Sequence, residues 1–329
     1  MRKLTLMFVL LSCPAVMTCG ELSAAQSAPV PVILDTDMGS DVDDVGAVAV
    51  LHALANRGEA RILAMGVSIK NEWTPLCLDA LNAYFHRPEI PLGVVKGPAL
   101  RDSSKYARLI AQEYPHTLQT AASLPDAALL YRKILARQPD GSVVMISIGT
   151  LTNLRNLLQT QADESSPLSG VELVKQKVRA WVCMGGKFPK GREFNLVSDG
   201  PASAFAIRHW PTPIVFSGHE IGNAIMTGPG LKKGAAASPV RRAFELYNGL
   251  TPRPSYDQTA VLYAVRGLDG GLADIWSVKS HGSLDVANDG SDVWRDSKDH
   301  RQAYLVEKAP PSTVAKIIED LMLRAAARK

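Results

Sequence analysis

The chain has 329 residues, of which 46% are hydrophobic and 21% are charged, as in ordinary globular proteins. Its formal net charge of +4 is small for this length, and no run of lysines or arginines stands out, so nothing indicates a nucleic-acid-binding surface. The composition also argues against disorder. A small molecule is therefore the expected partner.

The first residues are typical of an export signal. Two basic residues precede the apolar segment 4–16, and small residues at 23–25 provide a cleavage site after Ala25. The apolar segment is too short and too interrupted for a membrane span. We therefore predict a signal peptide over residues 1–25, a single domain over residues 26–329, and a secreted or periplasmic protein.

The four cysteines do not form a disulfide framework. Cys13 and Cys19 belong to the predicted signal peptide, which leaves Cys77 and Cys183 far apart in the sequence. Lipidation of Cys19 is the alternative to plain cleavage, although residues 16–18 are a poor approach to such a site. Cys183 lies in a strand-like run and is expected to be a small buried hydrophobic residue.

Apolar runs alternate with helical stretches along most of the chain, which predicts a parallel sheet with helices on both faces. In such sheets ligands bind beyond the carboxyl ends of the strands. Asp199 is expected to cap one of the helices. The predicted strands cover residues 31–34, 61–68, 92–95, 142–148, 178–184 and 214–217, and the predicted helices cover 43–57, 75–85, 127–137 and 201–209.

The C-terminal part departs from this alternation. Strand-like segments at 275–279 and 302–306 flank a polar, turn-rich region at 282–292, which predicts a small antiparallel addition. A last helix is expected from Ser312 to about Ala325, with Ser312 as its cap. No linker composition and no internal repeat divides the chain.

Five aspartates fall between residues 35 and 44, directly after the first predicted strand. A solvated loop that caps a helix would explain one or two of them. Five carboxylates close together repel one another and raise one another's pKa, so folding them together is costly unless a cation neutralises them. Oxygen ligands favour Ca²⁺ or Mg²⁺ over zinc. The spacing does not match the helix-loop-helix calcium loop, because Gly39 stands where a third ligand should be.

Several motifs, taken in order over about residues 31 to 265, resemble those of the nucleoside hydrolase family of the inosine-uridine-preferring type. The resemblance implies a Rossmann-like α/β fold, and hydrolysis of the N-glycosidic bond of ribonucleosides with a bound Ca²⁺. The matching motifs are Asp35-Thr36-Asp37-Met38-Gly39 with Asp43-Asp44, Gly149-Thr150-Leu151-Thr152-Asn153-Leu154, Met184-Gly185-Gly186, Glu193-Phe194-Asn195, and Asp257.

The resemblance also implies residue roles. Asp37 would be the general base that activates water, and Asp35 is expected to brace the loop from the strand side. Tyr256 is the candidate to protonate the leaving base. The implied Ca²⁺ ligands are Asp37, Asp44, Asp257 and the backbone carbonyl of Thr152, and the implied substrate contacts are Asp43, Glu193, Asn195 and Asp257.

Some of these residues also suit a purely structural role, and these alternatives stay open. Asn153 suits a helix cap, and Asp257 suits an acidic residue in the first turn of a helix. The alternative for Glu193 and Asn195 is that they are exposed polar residues of a loop, on either side of a Phe194 that is expected to be buried.

Two departures from the family pattern matter. The chain carries two extra residues, Asp41 among them, before Asp43 and Asp44, so which of these three touches the cation is open. Tyr256 replaces the histidine that many members carry before the late aspartate, and a pKa near 10 makes tyrosine a poorer acid near neutral pH. Aromatic rings could favour departure of the base instead; the candidates, for which core packing is the default, are Trp73, Trp276 and Trp294.

Two other functions compete with hydrolysis of nucleosides. A phosphohydrolase that binds Mg²⁺ also places two aspartates after a first strand, but it expects Thr or Val where Gly39 stands. A periplasmic, Ca²⁺-dependent nucleoside or sugar binder with weak or lost turnover is the alternative that Tyr256 supports. The sequence indicates no base preference, and a homo-oligomer is possible.

Overall fold

Strands and helices alternate along most of the chain in the computed structural model, which describes residues 28–298 and 301–325. The strands are β1 (Val30–Thr36), β2 (Ala60–Val67), β3 (Leu92–Val94), β4 (Val143–Ile148), β5 (Val178–Met184), β6 (Lys190–Arg192), β7 (Ile214–Ser217), β8 (Met226–Thr227), β9 (Arg253–Pro254), β10 (Trp276–Val286), β11 (Ser291–Asp296) and β12 (Gln302–Glu307). The helices are α1 (Asp43–Asn56), α2 (Thr74–Tyr84), α3 (Ala107–Glu113), α4 (Ala127–Ala136), α5 (Thr152–Gln159), α6 (Gly170–Lys177), α7 (Phe194–Ser198), α8 (Gly200–His209), α9 (His219–Ala224), α10 (Pro239–Asn248), α11 (Tyr256–Arg266) and α12 (Pro311–Arg324).

Most of these strands form one sheet in the order β3-β2-β1-β4-β5-β7-β12-β10-β11-β6. Neighbours from β3 to β12 pair in parallel, and β10, β11 and β6 continue the sheet with antiparallel pairs. Strands β8 and β9 form a separate antiparallel pair. The mostly parallel sheet with an antiparallel part near the C-terminus confirms the predicted fold class.

The sheet is covered on both faces because its central strands are apolar on both sides. In β1, Val32 and Leu34 pack into one hydrophobic cluster while Ile33 between them packs into the other. The first cluster contains residues of α1, α11 and α12, and the second contains residues of α4, α5 and α6. The first strand is therefore fixed from both faces, and the loop that follows it starts from a rigid base.

Some local predictions were wrong. Ser312 does not cap the last helix, which begins at Pro311, a residue whose fixed φ suits the first helical position. Much of the region 282–292 is strand, since Gly282, Leu284 and Val286 are buried on one face of β10. Only residues 287–290 remain as the turn between β10 and β11.

Other predictions fall outside the described residues or concern them only in part. The predicted signal peptide, its cleavage after Ala25 and lipidation of Cys19 lie outside the described residues and stay predictions. Within those residues, no helix has both the length and the apolar character needed to cross a bilayer. Cys77 and Cys183 are free and buried, and burial was expected for Cys183.

Candidate active site

A cavity of about 520 Å³ lies at the edge of the sheet where the parallel strands end. This volume suits a small-molecule ligand. Four aspartates of the β1–α1 segment meet residues at or just after the ends of β4, β5, β7 and β9. Among its lining residues are Asp37, Asp41, Asp43, Asp44, Asp102, Ile148, Met184, Arg192, Glu193, Phe194, Asn195, His219, Arg253, Tyr256 and Asp257.

The aspartate loop that follows β1 is held from three directions. Thr36 donates its hydroxyl hydrogen bond to Asp44, and Thr74 donates one to the carbonyl of Met38 at 2.8 Å. A Cβ atom on Gly149 would lie 2.5 Å from the backbone nitrogen of Asp37, so glycine is needed where β4 ends against this loop. The position of Asp37 is therefore set by backbone packing.

Asp35 ties β1 to helices α4 and α5, and its expected role as a brace of the loop stays a prediction. Its Oδ2 accepts hydrogen bonds from the Tyr131 hydroxyl at 2.5 Å and from the Asn153 side-chain amide at 2.8 Å. Burial raises the pKa of Asp35 to about 7, against the lowering effect of these two donors. The interpretation of Asn153 as a helix cap is wrong, because its amide is used to tie β1 to α5.

Asp43 joins the loop to the start of α11. Its Oδ2 accepts hydrogen bonds from the backbone N–H groups of Tyr256 at 3.1 Å and Asp257 at 3.4 Å. Its Oδ1 is buried, and the described residues offer it no hydrogen-bond partner. One carboxylate oxygen each from Asp41, Asp43 and Asp257 lie within 4.8 Å of one another, so this acidic cluster could hold a metal ion.

Electrostatics support the same conclusion. Burial, and then repulsion from neighbouring carboxylates, raises the pKa of the buried cavity aspartates well above the usual range. Arg253 offsets part of this charge through ion pairs with Asp41 at 2.7 Å and Asp43 at 3.8 Å. A hard cation fits the remaining negative charge and the oxygen-only donor set. The aspartates so affected are Asp37, Asp43, Asp44 and Asp257.

Glu193 and Asn195 reach the cavity through the short helix α7. Glu193 precedes this helix and accepts hydrogen bonds from the backbone N–H groups of Asn195 at 3.0 Å, Leu196 at 3.2 Å and Gly186 at 3.4 Å. Burial raises the pKa of Glu193 to about 7 despite these donors. Both residues are buried, so their interpretation as exposed polar residues of a loop is wrong, whereas Phe194 between them is 58% exposed.

Comparison with known proteins agrees with this geometry. The sequence model described as "Inosine-uridine preferring nucleoside hydrolase" matches residues 32–316. The chain belongs to this nucleoside hydrolase family. The predicted family and enzyme class, a hydrolase that acts on N-glycosyl bonds, are thereby confirmed. No curated protein matched the sequence.

Solved structures of low sequence identity share the nucleoside hydrolase fold. The effector protein XOO4466 has a TM-score of 0.72 at 15% identity, covering 92% of this chain and 95% of its own. An inosine-uridine preferring nucleoside hydrolase from Bacillus anthracis has a TM-score of 0.66 at 17% identity, covering 91% and 100%. The purine-preferring ribonucleoside hydrolase from Gardnerella vaginalis has a TM-score of 0.66 at 16% identity, covering 90% and 99%.

Thr152 is the one implied ligand of this nucleoside hydrolase that is not among the residues lining the cavity. It begins helix α5, where a backbone carbonyl points along the helix axis toward the next turn, and its hydroxyl donates to Asp199 at 2.6 Å. Asp199 caps α8 through the backbone N–H of Ala202, as predicted. Ile148, the last residue of β4, lines the cavity, and the Thr152 carbonyl as a ligand stays a prediction.

Tyr256 lies in the cavity, but its hydroxyl is engaged elsewhere. It donates a hydrogen bond to Oδ1 of Asn223 at 2.9 Å, and burial raises its pKa above 10. Neither feature suits a proton donor. The three tryptophans considered as aromatic partners of the base, Trp73, Trp276 and Trp294, are not among the residues that line the cavity.

Sequence reasoning missed several cavity residues of this nucleoside hydrolase, among them His219, Asp102 and Arg253. His219 follows strand β7 directly, so the rule that ligands bind at strand ends could have identified it. Asp102, which accepts a hydrogen bond from the backbone of Ser40 at 3.0 Å, comes from a long loop without any sequence signal. Arg253 gave no signal either, because its partner Asp41 lies far away in the sequence.

Proposed function

We propose that this protein hydrolyses the N-glycosidic bond of ribonucleosides to free base and ribose, with Ca²⁺ bound by the cavity aspartates and Asp37 as general base. One observation carries the proposal. A chain of the nucleoside hydrolase family buries Asp37, Asp43, Asp44 and Asp257 around one cavity at the carboxyl edge of its parallel strands.

Asp37, Asp44 and Asp257 would hold the cation, joined by Asp41 or Asp43 and by a backbone oxygen near the end of β4. Calcium accepts six to eight oxygen ligands in flexible geometry, which suits a site assembled from loop and helix carboxylates. When bound, it would lower the pKa of a water molecule and bind ribose hydroxyls.

The chain's own groups would then position the ribose and deprotonate the attacking water. Asp37 accepts the proton of the attacking water, which adds to C1′ of the sugar. The Oδ1 of Asp43 lies 3.8 Å from Arg253 and accepts no hydrogen bond from the described residues, so a ribose hydroxyl could donate to it. Its Oδ2 stays hydrogen-bonded to the start of α11. Asn195 and Glu193 would line the far side of the ribose, with Glu193 toward its 5′ end.

The decisive experiment incubates the purified mature protein with a panel of purine and pyrimidine nucleosides, with and without a calcium chelator. We expect release of free base and reducing sugar that stops with the chelator and returns with added Ca²⁺. Binding of Ca²⁺ and ribose by calorimetry with no base release would favour the nucleoside-binding alternative. Hydrolysis of a phosphoester under the same conditions would favour a phosphohydrolase.

Asp37→Asn is the sharpest single variant for this proposal. It keeps the shape of the side chain and removes the base, so kcat for nucleoside hydrolysis should fall on the order of 10²–10⁴-fold. The measurement is a steady-state assay with circular dichroism as the check on folding. Activity near that of the wild type would remove Asp37 from the role of general base.

The predicted signal peptide adds a location to the proposal. We expect a secreted or periplasmic enzyme whose mature chain begins after Ala25. Fractionation of producing cells with N-terminal sequencing of the exported protein tests this, and a cytoplasmic protein that retains residues 1–25 would contradict it.

A further inference from the structure

This inference rests on the proposed function and concerns how the base leaves. We infer that His219 donates the proton to the departing base, and that the ring of Tyr256 is the surface that holds the imidazole in place. Tyr256 is thus a positioning residue in this arrangement, and His219 takes the catalytic part that sequence reasoning had given to Tyr256.

The first support is the position of His219 at the cavity. It begins α9 directly after β7, and its backbone N–H donates to the carbonyl of Gly186 at 2.9 Å, in the turn that follows β5. Two adjacent strand ends therefore fix its backbone. Among the described residues, His219 is the only histidine that lines the cavity.

The second support is the contact with Tyr256. The two rings stack with centroids 5.2 Å apart and an interplanar angle of 26°. Gly222, in the same helix as His219, makes this possible because a Cβ atom there would collide with the backbone of Tyr256. The hydroxyl of Tyr256 is turned to Asn223 of α9, which also holds the ring against that helix.

The third support is the connection to the acidic cluster. The backbone N–H of Tyr256 donates to Asp43 at 3.1 Å, so the ring that carries the imidazole is anchored next to the carboxylates. A ribose held at the carboxylates would present its base toward the wall formed by Tyr256 and His219. No other described side chain on that wall has an ordinary pKa near neutrality.

The proton balance is complete with these groups and water. The C1′–N bond breaks with its electron pair going to the base, and the imidazolium N–H proton moves to a base nitrogen. The water oxygen bonds to C1′ while its proton goes to Asp37. Afterwards Asp37 releases a proton and the imidazole takes one up, both through solvent, so the enzyme returns to its starting state.

The charges around the imidazole come from several elements. Burial and the nearby Lys187 lower the pKa of His219, and Glu220 of its own helix opposes them. The guanidinium carbon of Arg253 lies 5.8 Å from the centroid of the Tyr256 ring, on which the imidazole stacks. Because the acid form is needed, nucleoside hydrolysis should fall as pH rises through a pKa somewhat below that of free histidine, and a variant without the imidazole should lack this limb of the profile.

The test compares two leaving groups in wild type and His219→Gln. Nucleoside bases need a proton to leave, whereas p-nitrophenolate from p-nitrophenyl β-D-ribofuranoside does not. We expect His219→Gln to lower kcat on nucleosides on the order of 10²-fold and to leave p-nitrophenyl riboside hydrolysis within a few-fold of wild type. The exposed His209, at the end of α8, gives the matched control His209→Gln, which should not change either rate.

The rates on the two substrates distinguish a role as acid from a role in the structure of the site. An equal loss on both substrates would show that His219 serves the structure of the site and would overturn its role as acid. A selective loss on nucleosides in Tyr256→Phe but not in His219→Gln would return the role to the tyrosine. If the wild type releases base from nucleosides, the proposed function stands whatever His219 does. If it hydrolyses neither substrate, both proposals fail.

Discussion

At the scale of single residues, buried ionisable groups divide into those that face the cavity and those that hold the fold. Arg132 belongs to the second kind: its guanidinium donates to the carbonyls of Ser166 and Leu168, both at 2.7 Å, and pairs with Asp163 at 2.8 Å. It fixes the chain between α5 and α6. Its charge is compensated locally, whereas the cavity aspartates need a cation.

His52 in α1 gives a pH dependence of stability that does not involve the cavity. It is fully buried, hydrogen-bonded to Asn82 at 2.9 Å, and burial lowers its pKa from 6.5 to about 3. The unfolded chain therefore takes up a proton below about pH 6.5 that the folded chain refuses. This contribution to stability is present above that pH and is lost as the pH falls toward 3.

We expect the His52 effect to lower the free energy of unfolding by about 2 kcal/mol between about pH 7 and pH 5. Other groups titrate in this window, so the quantity to measure is the difference between wild type and His52→Gln in denaturant titrations at both values. His52→Gln should lose less stability on acidification than wild type. Parallel behaviour of the two proteins would show that His52 is not responsible.

At the scale of elements, the cavity depends on how closely α9 approaches the start of α11. Gly222 lies against the backbone of Tyr256, and the backbone N–H of Ser255 donates to the carbonyls of Gly222 at 3.2 Å and Ile225 at 2.9 Å. These contacts join the His219 side of the cavity to the Asp257 side. A small displacement here would move both walls relative to each other.

Gly222→Ala tests this contact. The added methyl group should push α9 away from α11, with a cost in stability of about 1–3 kcal/mol and a loss of activity on the order of 10²-fold. Activity assays and thermal denaturation are the measurements. Gly141→Ala is the control, because it has a positive φ of 59° but no neighbour within 4 Å and lies before β4, at the opposite edge of the sheet.

The two glycine variants together show whether activity needs the close approach of α9 to α11. Gly141→Ala should lose stability from backbone strain and keep its activity. If Gly222→Ala also keeps full activity, the close approach of α9 to α11 is not needed for the site.

At the scale of the whole molecule, a cation would link segments of the folded domain that lie far apart in the sequence. Asp37 and Asp44 belong to the β1–α1 segment, whereas Asp257 lies in the first turn of α11, and both helices pack in the same hydrophobic cluster. A ligand that binds only the folded chain stabilises it by mass action. Neutralising the clustered carboxylates would also release protons, since their pKa values are raised.

We therefore expect added Ca²⁺ to raise the Tm of the protein and a chelator to lower it. At a Ca²⁺ concentration about 100 times Kd, the stabilisation should be about 2.7 kcal/mol. Differential scanning calorimetry with wild type and Asp257→Asn measures it, and the variant should show a much smaller shift. An equal shift in both proteins would place the cation away from Asp257.

Local sequence information determined much of the architecture. Strand β4 and helix α1 are found at almost the predicted residues. A strand buried on both faces leaves a continuous β-branched run in the sequence, and a packed helix leaves apolar residues at helical spacing. The aspartates after β1 marked the site for a similar reason, since clustered charge beside a buried strand needs a cation. Their placement followed from the rule that parallel strands bring their carboxyl ends to one edge.

Only the tertiary structure decided which groups meet at that edge and in which direction they point. Asn153 binds Asp35 of β1 instead of capping its own helix, Thr152 turns to Asp199, and His219 stacks on a tyrosine from another part of the chain. Such contacts join residues far apart in sequence, so no local period records them. The sequence by itself therefore determined the sheet, its family and its acidic loop. Only the folded chain decided which hydrogen-bond donors and rings surround the acidic loop, because these contacts depend on distances that packing sets.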